Sequence, residues 1–204
     1  DPSAKKVVVE EGQVYEYDKC IYARGSHFFV PPFEGHQDEG VTTIRTLTDI
    51  AKAAEFLEDG KQAVVIGGGV VGLEAAWALK KYQCDVTILE AMPSLMSNKL
   101  DSSASHMLQE IFEANGIRIL AGASTKKFED RKIYLEDGTV IPADLVVVSC
   151  GVRANSAIAA DAGVEIGRAI LVNDRMETNI ADLYEARDCV EFEGMNYALW
   201  PEAT

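Results

Sequence analysis

A glycine-rich turn at residues 67–72 constrains the fold of this chain more than any other feature. The turn reads GGGVVG, follows the β-branched run Gln62–Ile66 and precedes the helix-forming run Leu73–Tyr82. Glycine at its first, third and sixth positions gives the G-x-G-x-x-G spacing between a strand and a helix. The first glycine permits a tight turn, and the sixth lets the helix pack closely against the strand. This glycine turn therefore predicts an α/β unit.

The start of the predicted helix indicates which kind of ligand the glycine turn would bind. Amides around Val70 and Val71 have no carbonyl partner within the helix, and they carry the positive end of its dipole. Gly69 has no Cβ, so that a pyrophosphate could lie against the backbone. The residues predicted to bind a dinucleotide here are Gly67, Gly68, Gly69, Val70, Val71 and Gly72. The alternative is a methyltransferase, in which a similar turn binds a nucleoside without pyrophosphate.

Two acidic residues near the glycine turn are further candidates for ligand contacts. Glu90 follows the predicted strand Asp85–Leu89, about 20 residues after the turn, where a carboxylate binds the adenosine ribose. It would repel a 2′-phosphate, and no arginine follows in residues 91–99, so the pattern favours NAD over NADP. Glu90 could instead be a solvated strand end. Glu74 either contacts the ligand or stabilises the helix N-terminus.

The remaining elements extend this pattern to an α/β, Rossmann-like fold with a parallel sheet and an antiparallel meander. A helix capped by Asp101 ends at Asn115-Gly116 and leads into a third strand. Residues 126–143 contain two turn signals and predict the meander, and the apolar run Asp144–Ser149 predicts a buried central strand. The other predictions are a hairpin at 6–17, a strand at 19–23, a helix from Thr48 to about Gly60, and edge packing of Trp200.

Composition excludes several functional classes. The net charge of −14 opposes unspecific binding to nucleic acid or anionic lipid, and no apolar run reaches the roughly 18 residues of a membrane span. The four cysteines and three histidines are widely spaced, which argues against a metal site and favours free thiols in a reducing cytoplasm. The chain begins with Asp1 and no methionine, so we expect it to be part of a longer protein.

Three stretches resemble a known family: "VVIGGGVVGLEAAWALKKYQCDVTILEAMPSLM", "LDSSASHMLQEIFEANGIRILAGAS" and "LEDGTVIPADLVVVSCGVRANSAIAADAGVEIG". They resemble the FAD-dependent pyridine nucleotide–disulfide oxidoreductases, in particular the branch of NADH:rubredoxin reductases and nitrite reductase flavoproteins. The resemblance implies an NAD(H)-binding domain at 41–150, inserted into a partial FAD-binding domain at 1–40 and 151–204 that lacks its first segment.

The resemblance also implies an enzymatic function for the parent protein. Such enzymes pass hydride from NADH to FAD, and electrons onward to a small acceptor or to a protein such as rubredoxin. By the same resemblance, Gly151 faces the nicotinamide and Asp188 binds the ribityl chain of the flavin. Because hydride transfer depends on geometry more than on a titratable side chain, no catalytic acid or base is predicted.

The chain departs from the family pattern at flavin-binding positions. Arg24 replaces threonine in an Ala-Thr-Gly motif, Arg187 replaces glycine in a Gly-Asp motif, and Ala154 replaces proline in Gly-Val-Arg-Pro-Asn. Where glycine serves a positive φ or close backbone approach, arginine should be strained or should obstruct the ligand. The alternative function is therefore an NAD(H)-binding module without redox activity, because FAD cannot be held. A third reading is an inert or regulatory fold.

Overall fold

The computed structural model describes residues 1–56 and 61–196, and its contacts divide the chain into two compact units. The first comprises residues 28–151, and the second comprises residues 1–27 together with those from Val152 onward. The predicted packing of Trp200 and the predicted helix end near Gly60 lie outside the described residues. Which cofactor each unit binds stays a prediction.

The described elements are numbered in chain order. The strands are β1 Lys6–Val8, β2 Val14–Glu16, β3 Cys20–Tyr22, β4 Ser26–Phe28, β5 Val41–Thr42, β6 Gln62–Ile66, β7 Asp85–Glu90, β8 Arg118–Ala121, β9 Thr125–Glu129, β10 Lys132–Leu135, β11 Val140–Pro142, β12 Leu145–Val148, β13 Val152–Ala154, β14 Ile170–Leu171, β15 Leu183–Glu185, β16 Val190–Phe192 and β17 Met195–Asn196. The helices are α1 Leu47–Ala54, α2 Val70–Lys81, α3 Ser102–Ala114 and α4 Ala157–Asp161, with a 3₁₀ turn at Arg187–Cys189.

The unit of residues 28–151 is built on a five-stranded parallel sheet in the order β5-β12-β6-β7-β8. Alternate residues of β6 face opposite layers, as the two-residue period of a strand requires. Ala63 and Val65 pack with the helices, whereas Val64 and Ile66 pack with the antiparallel meander β9–β11. The predicted parallel sheet, meander and buried central strand β12 are confirmed.

Helix boundaries follow local capping. The side chain of Asp101 accepts from the N–H of Ala104 at 2.8 Å, as predicted for the start of α3. The predicted cap of α1 is wrong by two residues, because Thr46 and Asp49 form a reciprocal capping box. α1 ends at Ala54, before the predicted end near Gly60. α2 begins at Val70, where its first-turn N–H groups were predicted, and Gly69 is its N-cap.

The second unit consists of short strands around a small core. The hairpin β1–β2 is antiparallel as predicted, and β3 pairs in parallel with β15. The core contains Ala159, Val164, Ile170, Leu183 and Cys189. β4 and the strands β13–β17 were not predicted, because two or three residues are too few to show a period. Within the described residues, no helix has the length and apolar character needed to cross a bilayer.

Candidate dinucleotide-binding site

The glycine turn lies at the carboxyl end of β6, where the strand order changes direction. β7 follows in the chain and lies on one side of β6, while β12, from much later in the chain, lies on the other. In open α/β sheets, ligands bind in the crevice outside the carboxyl ends of the strands at such a switch point. The topology alone therefore places the glycine turn at a ligand crevice.

Gly67 and Gly72 are required by the packing of the turn itself. Gly67 has φ of +116°, and its N–H donates to the carbonyl of Leu89 at 2.7 Å. A Cβ on Gly67 would collide with the carbonyl oxygen of Ser149, and one on Gly72 would collide with that of Gly67. The tight turn and the close helix–strand packing expected of these two glycines are both present.

Gly69 and the first turn of α2 form an open surface of N–H groups. A Cβ on Gly69 would meet no atom within 4 Å, and no side chain caps the helix. Within the described residues, the backbone N–H groups of Val70, Val71 and Gly72 have no hydrogen-bond acceptor. These donors, at the positive end of the helix dipole, are chemically suited to an anion.

Glu90 is tied to the glycine turn by its carboxylate. Its Oε2 accepts from the N–H of Gly68 at 2.6 Å, and its Oε1 accepts from the N–H of Met92 at 2.7 Å. The carboxylate is therefore held in place and is not merely a solvated strand end. An ionised carboxylate has about four acceptor positions, so two remain for a ligand. Sequence reasoning placed Glu90 at the site but missed this bond to Gly68.

Gly68, like Gly67, is closely packed. A Cβ there would lie 2.6 Å from Leu95 Cδ2 and 3.0 Å from Glu90 Oε2. The carbonyl of Gly68 also accepts from the N–H of Met96 at 3.1 Å. The loop that follows β7 therefore closes over Gly68, so this second glycine has a packing role that the motif spacing does not reveal.

The predicted residues outside the glycine turn have weaker support. Glu74 is exposed, and within the described residues its side chain has no hydrogen-bond or ion-pair partner. Gly151 has φ of +86°, its carbonyl accepts from the N–H of Phe29 at 3.0 Å, and a Cβ there would meet nothing within 4 Å. Both leave room for a ligand, and their roles stay predictions.

Cys150 belongs to the same crevice, although no sequence pattern pointed to it. Its Sγ donates to the carbonyl of Ile66 at 3.5 Å, at the end of β6. Burial, together with the nearby charge of Glu90, raises the pKa of the Cys150 thiol to about 11. The thiol is therefore neutral at pH 7.

Asp188 lies in the other unit. Its Oδ2 accepts from the hydroxyl of Ser26 at 2.8 Å, and its carbonyl accepts from Asn196 at 3.1 Å. The preceding Arg187 has φ of +73°, in the left-handed region that glycine adopts without strain. The strain expected for arginine at this position is confirmed.

Glu185, close to Asp188 in sequence, is a buried acid that the sequence did not reveal. It is 1% exposed, and neither carboxylate oxygen has a hydrogen-bond partner. The neighbouring thiol of Cys189 donates instead to the carbonyl of Gly25 at 2.8 Å. Burial raises the pKa of Glu185 to about 7, because the charged form loses its solvation.

Comparison with known proteins gives a consistent result across the chain. The family of pyridine nucleotide-disulphide oxidoreductases matches residues 1–204. A "Nitrite reductase [NAD(P)H]" of Bacillus subtilis is 36% identical over 203 residues, which cover 98% of this chain and 25% of that protein.

Solved structures agree with this match. A NAD-dependent persulfide reductase from A. fulgidus has a TM-score of 0.87 at 33% identity, covering 94% of this chain and 37% of that chain. The covalent putidaredoxin reductase–putidaredoxin complex has a TM-score of 0.91 at 26% identity, covering 100% and 52% respectively. The predicted fold class is thus confirmed, and the chain spans between a quarter and about half of these proteins.

Proposed function

The chain belongs to the pyridine nucleotide-disulphide oxidoreductase family, and from this we propose that it is the NAD(H)-binding part of a flavin-dependent oxidoreductase. The parent enzyme would pass hydride from NADH to FAD, and electrons onward to a small or protein acceptor. The observation that carries the proposal is the set of unpartnered N–H groups of α2, which face open space at Gly69.

The residues of the glycine turn would hold the pyrophosphate of NADH. Val70, Val71 and Gly72 supply N–H donors, and Gly69 supplies the space that a side chain would otherwise occupy. No cationic side chain is needed, because the helix dipole and the backbone donors already favour an anion. Gly67 and Gly68 keep these groups in position.

Glu90 would select NADH over NADPH. The two acceptor positions left after its bonds to Gly68 and Met92 can receive the ribose hydroxyls. Since both bonds fix the carboxylate close to the turn, it cannot swing away from a 2′-phosphate. Charge repulsion would then discriminate against NADPH.

The flavin, when bound, supplies the hydride acceptor. Of the residues in this chain, Asp188 is the candidate for holding it: one carboxylate oxygen is engaged by Ser26, and the other has no partner within the described residues. Gly25 directly precedes Ser26, and a Cβ on Gly25 would meet no atom within 4 Å. We assign no general acid or base to the reaction, because the protein contributes orientation.

The proposal also includes an electron acceptor and a cellular compartment. The solved complex with putidaredoxin is a reductase bound to its protein partner, and by analogy we propose a small redox protein, such as rubredoxin, as the acceptor. The four free cysteines fit a reducing cytoplasm. A second candidate, an NAD(H)-binding module without electron transfer, is favoured by the strained Arg187 at a flavin position.

Titration with NADH tests the binding proposal. Amide resonances of residues 67–72 should shift on addition of NADH, while that of Gly138, in the turn between β10 and β11 of the same unit, should stay in place. NADPH should require a higher concentration for the same shifts. Unmoved resonances at 67–72 would refute the assignment. A colourless purified chain that binds NADH, and gains no flavin on incubation with FAD, would support the module without electron transfer.

A further inference from the structure

Ser105, on the buried face of α3, anchors the loop that closes over the glycine turn. Its hydroxyl donates to the carbonyl of Leu95 at 2.8 Å, and the residue is 2% exposed. Leu95 lies in the β7–α3 loop, residues 91–101, which runs from Glu90 to the start of α3. We infer that Ser105 is a positioning residue for the dinucleotide site, because through this loop it keeps the carboxylate of Glu90 where it discriminates between NADH and NADPH, a role that rests on the proposed function.

The burial of the hydrogen bond between Ser105 and Leu95 makes it costly to lose. Leu95 is 0% exposed, and within the described residues no other group donates to its carbonyl. A buried carbonyl without a donor has lost its hydrogen bonds to water and gains none in return. When the hydroxyl of Ser105 is removed, we therefore expect the loop to move until this carbonyl reaches water or another donor.

The β7–α3 loop contacts Gly68 directly. A Cβ on Gly68 would lie 2.6 Å from Leu95 Cδ2, and the N–H of Met96 donates to the carbonyl of Gly68 at 3.1 Å. The N–H of Gly68 in turn donates to Glu90 Oε2 at 2.6 Å. A continuous series of contacts thus leads from the hydroxyl of Ser105 to the carboxylate of Glu90.

The β7–α3 loop contains a strained residue that its surroundings hold in place. Met96 has φ of +52°, in the left-handed region that residues other than glycine seldom adopt. Such residues persist where the surrounding structure imposes their conformation, and they are frequent at ligand sites. The amides of Lys99 and Leu100 both donate to the carbonyl of Met96, at 2.7 and 2.9 Å. We expect this turn to relax when its anchor at Ser105 is lost.

A loosened β7–α3 loop should weaken discrimination more than binding. The N–H groups of Val70, Val71 and Gly72 belong to the start of α2 and would still receive the pyrophosphate. The repulsion between Glu90 and a 2′-phosphate falls with the distance between the two charges. A carboxylate that can move away therefore admits NADPH more readily, and loss of the Ser105 hydroxyl should lower the preference for NADH.

Dinucleotide titration of Ser105→Ala tests this role. The ratio of the NADPH dissociation constant to that of NADH, measured from nicotinamide fluorescence, should fall about threefold. Ser103→Ala makes the same chemical change at an exposed position of α3 and should leave the ratio unchanged. Ile133→Val lowers stability from the other core layer, which does not contain Leu95, and it should also leave the ratio unchanged. A purely structural role for Ser105 would lower stability in the same way without changing the ratio.

A double-mutant cycle decides whether Ser105 acts through Glu90. Glu90→Gln removes the charge and should itself lower the ratio, because a 2′-phosphate is no longer repelled. On this background Ser105→Ala should change the ratio no further, since the charge that it would release is absent. The same fall of the ratio on both backgrounds would contradict the role assigned to Ser105.

Amide hydrogen exchange of the ligand-free chain provides a measurement that does not depend on dinucleotide binding. In Ser105→Ala, the amides of Gly68 and Met96 should exchange faster when compared with the amide of Val147 in the buried strand β12. In Ser103→Ala, they should exchange as in the wild type. Equal relative exchange rates in Ser105→Ala, or an unchanged ratio in a chain that binds NADH, would overturn this inference and leave the proposed function intact. Failure of the wild-type chain to bind NADH would overturn the proposed function and this inference with it.

Discussion

The glycine turn and the segment around Arg187 both follow strands of parallel sheets, β6 and β15, but they are built in different ways. The glycine turn presents backbone N–H groups; a Cβ would collide at Gly67, Gly68 and Gly72, whereas Gly69 leaves open space. The segment around Arg187 presents an exposed side chain on a strained backbone. The glycine turn thus depends on six consecutive residues, whereas the surroundings of Asp188 include Ser26, far away in sequence.

Placing a methyl group on the glycine turn should separate its packing role from its binding role. Gly67→Ala puts a Cβ against the carbonyl of Ser149 at φ of +116°. We expect it to lower the free energy of unfolding by about 3 kcal/mol, from strain and overpacking together. Gly69→Ala meets no atom, so its stability should stay close to that of the wild type while NADH binds more weakly. Denaturant unfolding and NADH titration measure the two effects, and equal stabilities would contradict the packing argument.

The buried acid Glu185 should make the stability of its unit depend on pH. The pKa of Glu185 is raised from 4.5 to about 7 in the folded protein. The folded state therefore binds the extra proton, so its stabilising effect is present below pH 4.5 and is lost as the pH rises to about 7. The loss should approach about 3 kcal/mol.

Glu185→Gln is the matched variant for this pH effect, because it keeps the shape and removes the titration. Between pH 4.5 and 7, the free energy of unfolding of this variant should therefore fall less than that of the wild type. Urea denaturation at several pH values provides the measurement. Parallel pH profiles for the variant and the wild type would show that the carboxyl group is not buried in this way.

Removing the carboxylate at the glycine turn should affect stability and binding together. Glu90→Ala leaves the N–H groups of Gly68 and Met92 without their acceptor, at a cost of about 1–3 kcal/mol in unfolding free energy. Affinity for NADH should fall about tenfold, from the loss of its ribose contact. As a control, Glu74→Ala removes an exposed side chain without a partner in the described residues, and stability should not change. Unchanged NADH affinity in Glu90→Ala would show that the ribose assignment is wrong.

The smallest expected effect concerns the left-handed arginine. Arg187→Gly relieves an arginine at φ of +73°, which should stabilise the chain by about 1 kcal/mol. Arg24→Gly has no positive φ to relieve and should bring no gain in thermal stability. A melting temperature of Arg187→Gly equal to that of the wild type would contradict the strain argument.

Most of the unit at residues 28–151 could be predicted from the sequence, because its signals are local. β6, α2, β7 and α3 appear within a few residues of their predicted limits, since strand and helix periods are visible over five or more residues. The errors lie at helix starts, where Thr46 rather than Thr48 caps α1. Thr46 and Thr48 could each cap this helix. The composition of the segment does not show which of the two side chains reaches the first N–H groups.

The sequence by itself determined the α/β order and the glycine turn, because the steric demands on Gly67 and Gly72 arise within a short stretch of chain. Only the tertiary structure decided that Glu90 binds Gly68, that Glu185 is buried without a partner, and that Asp188 binds Ser26. Each of these depends on the register of strands or on the packing of segments distant in sequence. Such contacts are set by the free energy of the whole core, which no local pattern encodes.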